Sequence, residues 1–215
     1  MANVTLNELQ KEFLERFFKH DSRFFLTGGA ALVGFYLHHR QTDDVDLFTL
    51  ENEIERGFRL VNEVAREMGA SVESLQTSPD FRRLLLLRGE RAIVVDLVHE
   101  YVYQIDRDKS VINGIRLDTP EEILANKLCA LLSRSEIRDL VDVRALEIAG
   151  NSIESALDAA AQKDTGFTPA QLAWVLSEIR FGNDLIPPGD VTRIELQDYL
   201  KDLLTRLSRL AFPKT

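Results

Sequence analysis

Asp44 and Asp46 stand two positions apart in the stretch Asp44-Val45-Asp46-Leu47, where apolar and acidic residues alternate as they do along a strand. Side chains alternate faces along a strand, so both carboxylates point the same way. Two like charges on one face repel unless a cation lies between them. A hard divalent cation takes oxygen ligands of this kind. Fifteen residues before Asp44, the apolar stretch Phe24-Phe25-Leu26-Thr27 ends in Gly28-Gly29. A glycine pair that opens a helix leaves backbone N–H groups without intrahelical partners, which favours a phosphate. A cation pair beside a phosphate cradle is the chemistry of phosphoryl or nucleotidyl transfer.

Such a site usually needs a third carboxylate on a neighbouring strand. Asp96 is the candidate, because it interrupts the otherwise apolar run Ala92-Ile93-Val94-Val95-Asp96-Leu97-Val98. Burying an unpaired carboxylate there is costly, so it requires either a metal ion or an arginine partner. Strand alternation turns Asp43 to the opposite face and out of the site. His38 and His39 are adjacent, face different directions, and have no further His/Cys cluster nearby, which argues against zinc. A phosphatase-type Asp-x-Asp would follow the first strand directly, where this chain has glycines instead. No Gly-x-x-x-x-Gly-Lys-[Ser/Thr] occurs.

The elements that must position these residues follow from periodicity and punctuation. Leu6, Leu9, Phe13, Phe17 and Phe18 predict an amphipathic helix over 5–19. A strand over 23–27, a helix over 30–39 and a strand over 44–49 come next. Asn52 is a candidate N-cap for a helix to about Met68. Strands are expected at 71–76, 81–88 and 91–98, the last two joined through Gly89-Glu90, with a further hairpin on Asn113-Gly114. From Thr119-Pro120 the pattern changes to helices at 121–133, 136–149, 153–162, 169–180 and 192–210. The expected architecture is an α/β (α+β) mixed sheet with flanking helices over 1–118, followed by an all-helical half over 119–215.

Composition narrows the class. The net charge is −9, with −5 over residues 1–110 and −4 over the rest, so bulk electrostatics does not drive nucleic-acid binding. Arg82, Arg83, Arg88 and Arg91 form a local basic group that reads more readily as a solvated face than as a phosphate patch. The single cysteine, Cys129, excludes an internal disulfide and a cysteine-rich zinc site. The longest apolar run, Leu84 to Leu87, is too short to span a membrane. No secretory signal is visible at residues 1–5, and a reducing, cytoplasmic setting is expected.

At Leu26-Thr27-Gly28-Gly29-Ala30-Ala31-Leu32 and His39-Arg40-Gln41-Thr42-Asp43-Asp44-Val45-Asp46-Leu47-Phe48, the chain resembles the polymerase-β-superfamily nucleotidyltransferases. Within them it is most similar to the AbiEii/AbiGii toxin-type family, whose helical signature is met by Lys127, Arg134, Arg138-Asp139 and Asp142. The resemblance spans residues 26–147. It implies a Mg²⁺-dependent enzyme, with two ions, that moves a nucleoside monophosphate from a triphosphate such as ATP to an acceptor hydroxyl. By that likeness Asp44, Asp46 and Asp96 are catalytic and bind metal, while Gly28, Gly29, Arg40, Thr42, Lys127, Asp139 and Asp142 contact the nucleotide in a cleft between the halves. The acceptor is left open among RNA (a tRNA end included), a protein and a small hydroxylated molecule such as an aminoglycoside. The resemblance also implies a toxin role with an antitoxin partner. The alternatives are a non-catalytic nucleotide-binding module and an antibiotic nucleotidyltransferase. For Arg138, Asp139 and Asp142, a structural ion pair between Arg138 and Asp142 competes with a catalytic role.

Overall fold

The computed structural model describes residues 6–212. The expected start of the first helix at Thr5 and the reading of residues 1–5 lie outside them. The Cα packing forms two compact units. A sheet unit comprises residues 1–101 and 106–119, and a helical unit comprises 102–105 and 120–215.

The sheet unit opens with α1 (Glu8–His20), started by a capping box between Asn7 and Gln10. The strands are β1 (Phe24–Thr27), β2 (Asp44–Thr49), β3 (Ser71–Ser78), β4 (Phe81–Arg88), β5 (Arg91–His99), β6 (Ser110–Ile112) and β7 (Ile115–Leu117). They form one mixed sheet in the order β3-β4-β5-β2-β1-β7-β6. β2 runs parallel to β5 and antiparallel to β1, and β1 runs parallel to β7. Among the described residues β3–β4, β4–β5 and β6–β7 are β-hairpins, and the last two turn where the sequence supplies left-handed residues: Gly89 in one, Asn113 and Gly114 in the other.

Residues opposite one another in paired strands share a face of the sheet. Val45, Leu47, Leu84, Leu86, Val95 and Leu97 lie on one face and are fully buried. Phe24 belongs to the same face and carries α1 and α3 (Ile54–Glu67) against it. Its ring meets Phe17 edge-on at 5.5 Å, and Gly57 lets α3 approach so closely that a Cβ there would lie 2.5 Å from Phe24 Cζ. Alternation then sends Asp44, Asp46 and Asp96 to the other face.

The segment after β1 departs from expectation. In place of a helix over 30–39, α2 (Gly28–Ala31) begins directly at the strand end and passes into a π-helical turn, Leu32–Tyr36. The wider turn is closed by Leu37 N–H donating to Leu32 O at 2.7 Å, and His38 at φ 51° ends it. The Tyr36 hydroxyl donates to the Asp118 carbonyl at 2.9 Å and fixes this turn on the end of β7. Likewise α3 starts at Ile54 behind Glu53, not behind Asn52, because Glu53 N–H turns back to Glu51 O at 2.8 Å.

The helical unit contains α4 (Pro120–Arg134), α5 (Ile137–Ile148), α6 (Ile153–Lys163), α7 (Pro169–Ser177) and α8 (Arg193–Ala211). α4 is central, with Ile123, Leu124, Leu128 and Leu131 fully or almost fully buried. Residues 102–105 join this unit through buried charge: Ile105 N–H donates to Glu122 Oε2 at 2.8 Å, and Lys163 pairs with Glu122 while donating to Tyr103 O at 2.8 Å. α7 ends three residues before the expected Arg180, where the Ser177 hydroxyl bonds the Trp174 carbonyl at 2.6 Å.

Candidate active site

The sheet register builds one row of side chains across the carboxylate-bearing face. Arg83 on β4 is opposite Asp96 on β5, Asp96 is opposite Asp46 on β2, and Asp46 is opposite Thr27 on β1. Asp44 is one pleat along β2 from Asp46 and shares its face. Asp44 and Asp46 are half-buried, and Asp43 is exposed.

The glycines meet this row at its β1 end. Gly28 has φ 62°, a left-handed conformation that a side chain disfavours. A Cβ there would overlap Asp46 Oδ2 and lie 3.1 Å from Asp46 Cγ, so the carboxylate packs against bare backbone. A Cβ on Gly29 would lie 2.8 Å from Arg40 Nη2 and 3.3 Å from Thr42 Oγ1. Arg40 is buried and donates to the Gln41 carbonyl at 2.8 Å. Thr42 is tied down by fully buried Gln10, whose Nε2 donates to the Thr42 carbonyl at 2.9 Å. The capping residue of α1 thus also positions the approach to β2.

Asp96 has an arginine partner. Arg83 Nε donates to Asp96 Oδ1 at 2.9 Å, and Nη2 donates to Oδ2 at 2.7 Å, the bidentate fork that guanidinium and carboxylate favour. The Asp96 side chain is 7% exposed, while that of Arg83 is 44% exposed. Hydrogen bonding to Asp96, with further attraction from Asp96, Asp44 and Asp46, outweighs desolvation and holds the Arg83 pKa above its ordinary value. The remaining arginines of the basic group go elsewhere. Arg82 lies over the Phe58 ring and pairs with Glu55, and Arg88 pairs with Glu12 on α1 at 2.6 Å.

The donor set suits a hard divalent cation. Two half-buried carboxylates share a face, and the buried Thr27 hydroxyl in their row has no hydrogen-bond partner. Among the described residues, however, no group of three or more His, Cys, Asp or Glu is arranged to hold a metal ion. The Arg83 fork engages both oxygens of Asp96. His99 lies on the opposite face from Asp96 and pairs with Asp80 at 3.1 Å.

A second charged cluster belongs to the helical unit. Lys127 Nζ on α4 lies 2.7 Å from Asp139 Oδ1 and 2.7 Å from Asp142 Oδ2, both on α5. Arg134 completes it through Nε to Asp139 Oδ2 at 2.8 Å and Nη2 to Oδ1 at 3.0 Å. Both aspartates are fully buried, and Lys127 nearly so. Burial alone would depress the Lys127 pKa, but Asp142 and Asp139 outweigh it and hold the ammonium above its usual range. Burial would likewise raise Asp139, but Arg134 and Lys127 hold it below the usual carboxylate range. Asp142 meets Lys127, and Arg138 Nε donates to Glu136 Oε2 at 2.5 Å.

The structure thus gathers Gly28, Gly29, Arg40, Thr42, Asp44, Asp46 and Asp96 in the sheet unit, and Lys127, Asp139 and Asp142 in the helical unit. Thr27, Arg83, Gln10 and Arg134 complete the two clusters. Strand parity from Asp44-x-Asp46 carried no signal for them, because their places depend on register and helix packing.

The family model described as nucleotidyl transferase AbiEii toxin, type IV TA system, matches residues 12–209. The chain belongs to this family. It is a nucleotidyltransferase. Among solved structures, JHP933 from Helicobacter pylori is similar at 18% identity, covering 96% of this chain and 97% of that one, with a TM-score of 0.56. The MenT4 nucleotidyltransferase toxin of Mycobacterium tuberculosis H37Rv is similar at 15% identity, covering 94% and 82%, with a TM-score of 0.60. At these identities the likeness shows a shared fold: the mixed sheet with flanking helices and helical C-terminal half that the sequence implied. No curated protein matches the chain.

Proposed function

We propose that this family member is a Mg²⁺-dependent nucleotidyltransferase whose reaction centre is the Asp44–Asp46–Asp96 face. The observation that carries the reading is Asp46 packed on the backbone of Gly28, with Asp44 and Asp96 on the same face. Asp44 and Asp46 would hold the divalent ions, which supply charge neutralisation for the triphosphate and the departing pyrophosphate. The Gly28-Gly29 backbone, Arg40 and Thr42 would seat the phosphates, with Arg40 providing the planar fork that phosphate oxygens accept. The acceptor oxygen attacks the α-phosphorus and forms the new P–O bond. The bond to the β-phosphate breaks, pyrophosphate leaves with the electron pair, and Asp96 takes the hydroxyl proton.

Lys127, Asp139 and Asp142 enter this reading as nucleotide contacts through the family signature. The Lys127 ammonium is shared between the two carboxylates. The acceptor belongs to RNA (a tRNA end included), a protein or a small hydroxylated molecule. The toxin would act in the cytoplasm and be countered by an antitoxin protein. No helix among the described residues is long and apolar enough to cross a membrane.

Incubation with each labelled nucleoside triphosphate, Mg²⁺ and cell extract tests the reading. Wild type labels one acceptor class, and the Asp44→Ala/Asp46→Ala variant labels none. Equal labelling by both would sink the assignment. Expression of wild type should arrest growth and expression of Asp46→Ala should not.

A further inference from the structure

Asp96 and Arg83 differ in what each can tolerate. Asp96 is 7% exposed, so its charge must be balanced locally, by a guanidinium or by a cation. Arg83 is 44% exposed, so its guanidinium can turn to water without being stranded. Both Asp96 oxygens accept from the Arg83 fork at 2.9 and 2.7 Å. A guanidinium at that distance repels a second cation at the same carboxylate. The register puts the three groups in the order Arg83, Asp96, Asp46, with Asp96 between the arginine and the Asp44/Asp46 pair. Asp96 can therefore serve one side or the other.

We propose that Arg83 is a positioning residue that acts through Asp96, withholding that carboxylate from the cation site until it lets go. While the fork holds, Asp96 is kept from a divalent ion at Asp44 and Asp46. Asp96 joins when Arg83 swings into solvent, and the acceptor-side carboxylate is armed at that moment. Arg83 lies outside the residues assigned above to nucleotide and metal. The proposal rests on the reading of Asp44 and Asp46 as cation ligands.

Mn²⁺ binding to the full chain without nucleotide, followed by electron paramagnetic resonance, tests it apart from turnover. Asp46→Asn should weaken binding strongly, whereas Asp96→Asn should change it less than about two-fold. Arg83→Gln should tighten binding about ten-fold, within the usual range for coupled sites. Most of that gain should vanish in Arg83→Gln/Asp96→Asn. If Arg83→Gln does not fold, Arg83→Lys carries the test. It keeps the charge but loses the fork, and should tighten binding about three-fold in an Asp96-dependent way. Three results overturn the proposal: Asp96→Asn weakening wild-type binding as much as Asp46→Asn, no gain on removing the fork, or an equal gain in the Asp96→Asn background, which marks simple charge repulsion. An Asp46→Asn variant that binds Mn²⁺ normally overturns both this proposal and the cation-ligand reading.

Discussion

In the sheet unit, Asp44, Asp46 and Asp96 share a face, and Arg83 engages one of the three from a partly exposed position. In the helical unit, Asp139 and Asp142 meet Lys127 and Arg134, two carboxylates against two cations, with both carboxylates fully buried. The same residue types give opposite electrostatics. The first cluster sets three carboxylates on one sheet face, two of them only half-buried, so it stands partly open to solvent. The second buries both carboxylates and Lys127, while Arg134 stays 45% exposed, so removing Lys127 strands the aspartates in a low-dielectric interior. A half-buried carboxylate row is accessible to a ligand, whereas the buried pairing of Lys127 with Asp139 and Asp142 holds α4 to α5.

Substitutions can break or sharpen this contrast. The largest effect is expected at Asp46. Asp46→Asn should cut nucleotide transfer by at least about a thousand-fold, roughly 4 kcal/mol, while the urea midpoint changes less than in a variant of the buried Lys127. A large loss of stability instead would place the two clusters in one class. Lys127→Met should behave the other way, with urea unfolding showing a loss of about 3–5 kcal/mol, as for a broken buried pair. A stable but inactive Lys127→Met protein would show that its ammonium serves catalysis more than packing.

Next in size is Gly28→Ala. The left-handed backbone costs about 1–2 kcal/mol, and the new Cβ must displace the Asp46 carboxylate, so both stability and transfer should fall. The pH response separates the clusters further. Asp139 is held below the usual carboxylate range, so its contribution is present above about pH 4 and is lost as pH falls through its lowered folded value. Lys127 is held above its usual range, so its contribution is present below about pH 10 and is lost as pH rises through its raised folded value. Between those limits thermal midpoints should be flat on account of this cluster, and Asp139→Asn should remove its share of the acid limb. The smallest effect is expected at Thr27. Thr27→Val removes a buried hydroxyl without a partner, so stability should rise by up to about 1 kcal/mol. A several-fold rise in KM for the nucleotide would identify that hydroxyl as a ligand contact.

Much of the sheet unit was legible in advance because its signals are local. Strand alternation put Asp44 and Asp46 on one face, Gly89 and Asn113-Gly114 marked the turns of β4–β5 and β6–β7, and Thr119-Pro120 marked the start of α4. The π-helical turn at Leu32–Tyr36 was not legible, since it depends on Tyr36 reaching the Asp118 carbonyl from 82 residues away. Arg83 was grouped with Arg82, Arg88 and Arg91 by proximity in the chain. Strand parity alone separates Arg83 from Arg82 and Arg88, but only the β4–β5 register chooses Asp96 as its partner. The helical signature gave Lys127, Asp139 and Asp142 as a set and suggested Arg138 for Asp142. The packing of α4 on α5 brings Asp142 to Lys127.

By itself the sequence determined the order of elements, the family resemblance and the shared face of Asp44 and Asp46, because these follow from periods of two and 3.6 residues and from turn chemistry. Only the tertiary structure decided which charges meet. Partnerships such as Arg83–Asp96 and Lys127–Asp139–Asp142 depend on strand register and helix packing, which bring together residues 12 to 15 positions apart that no local pattern pairs.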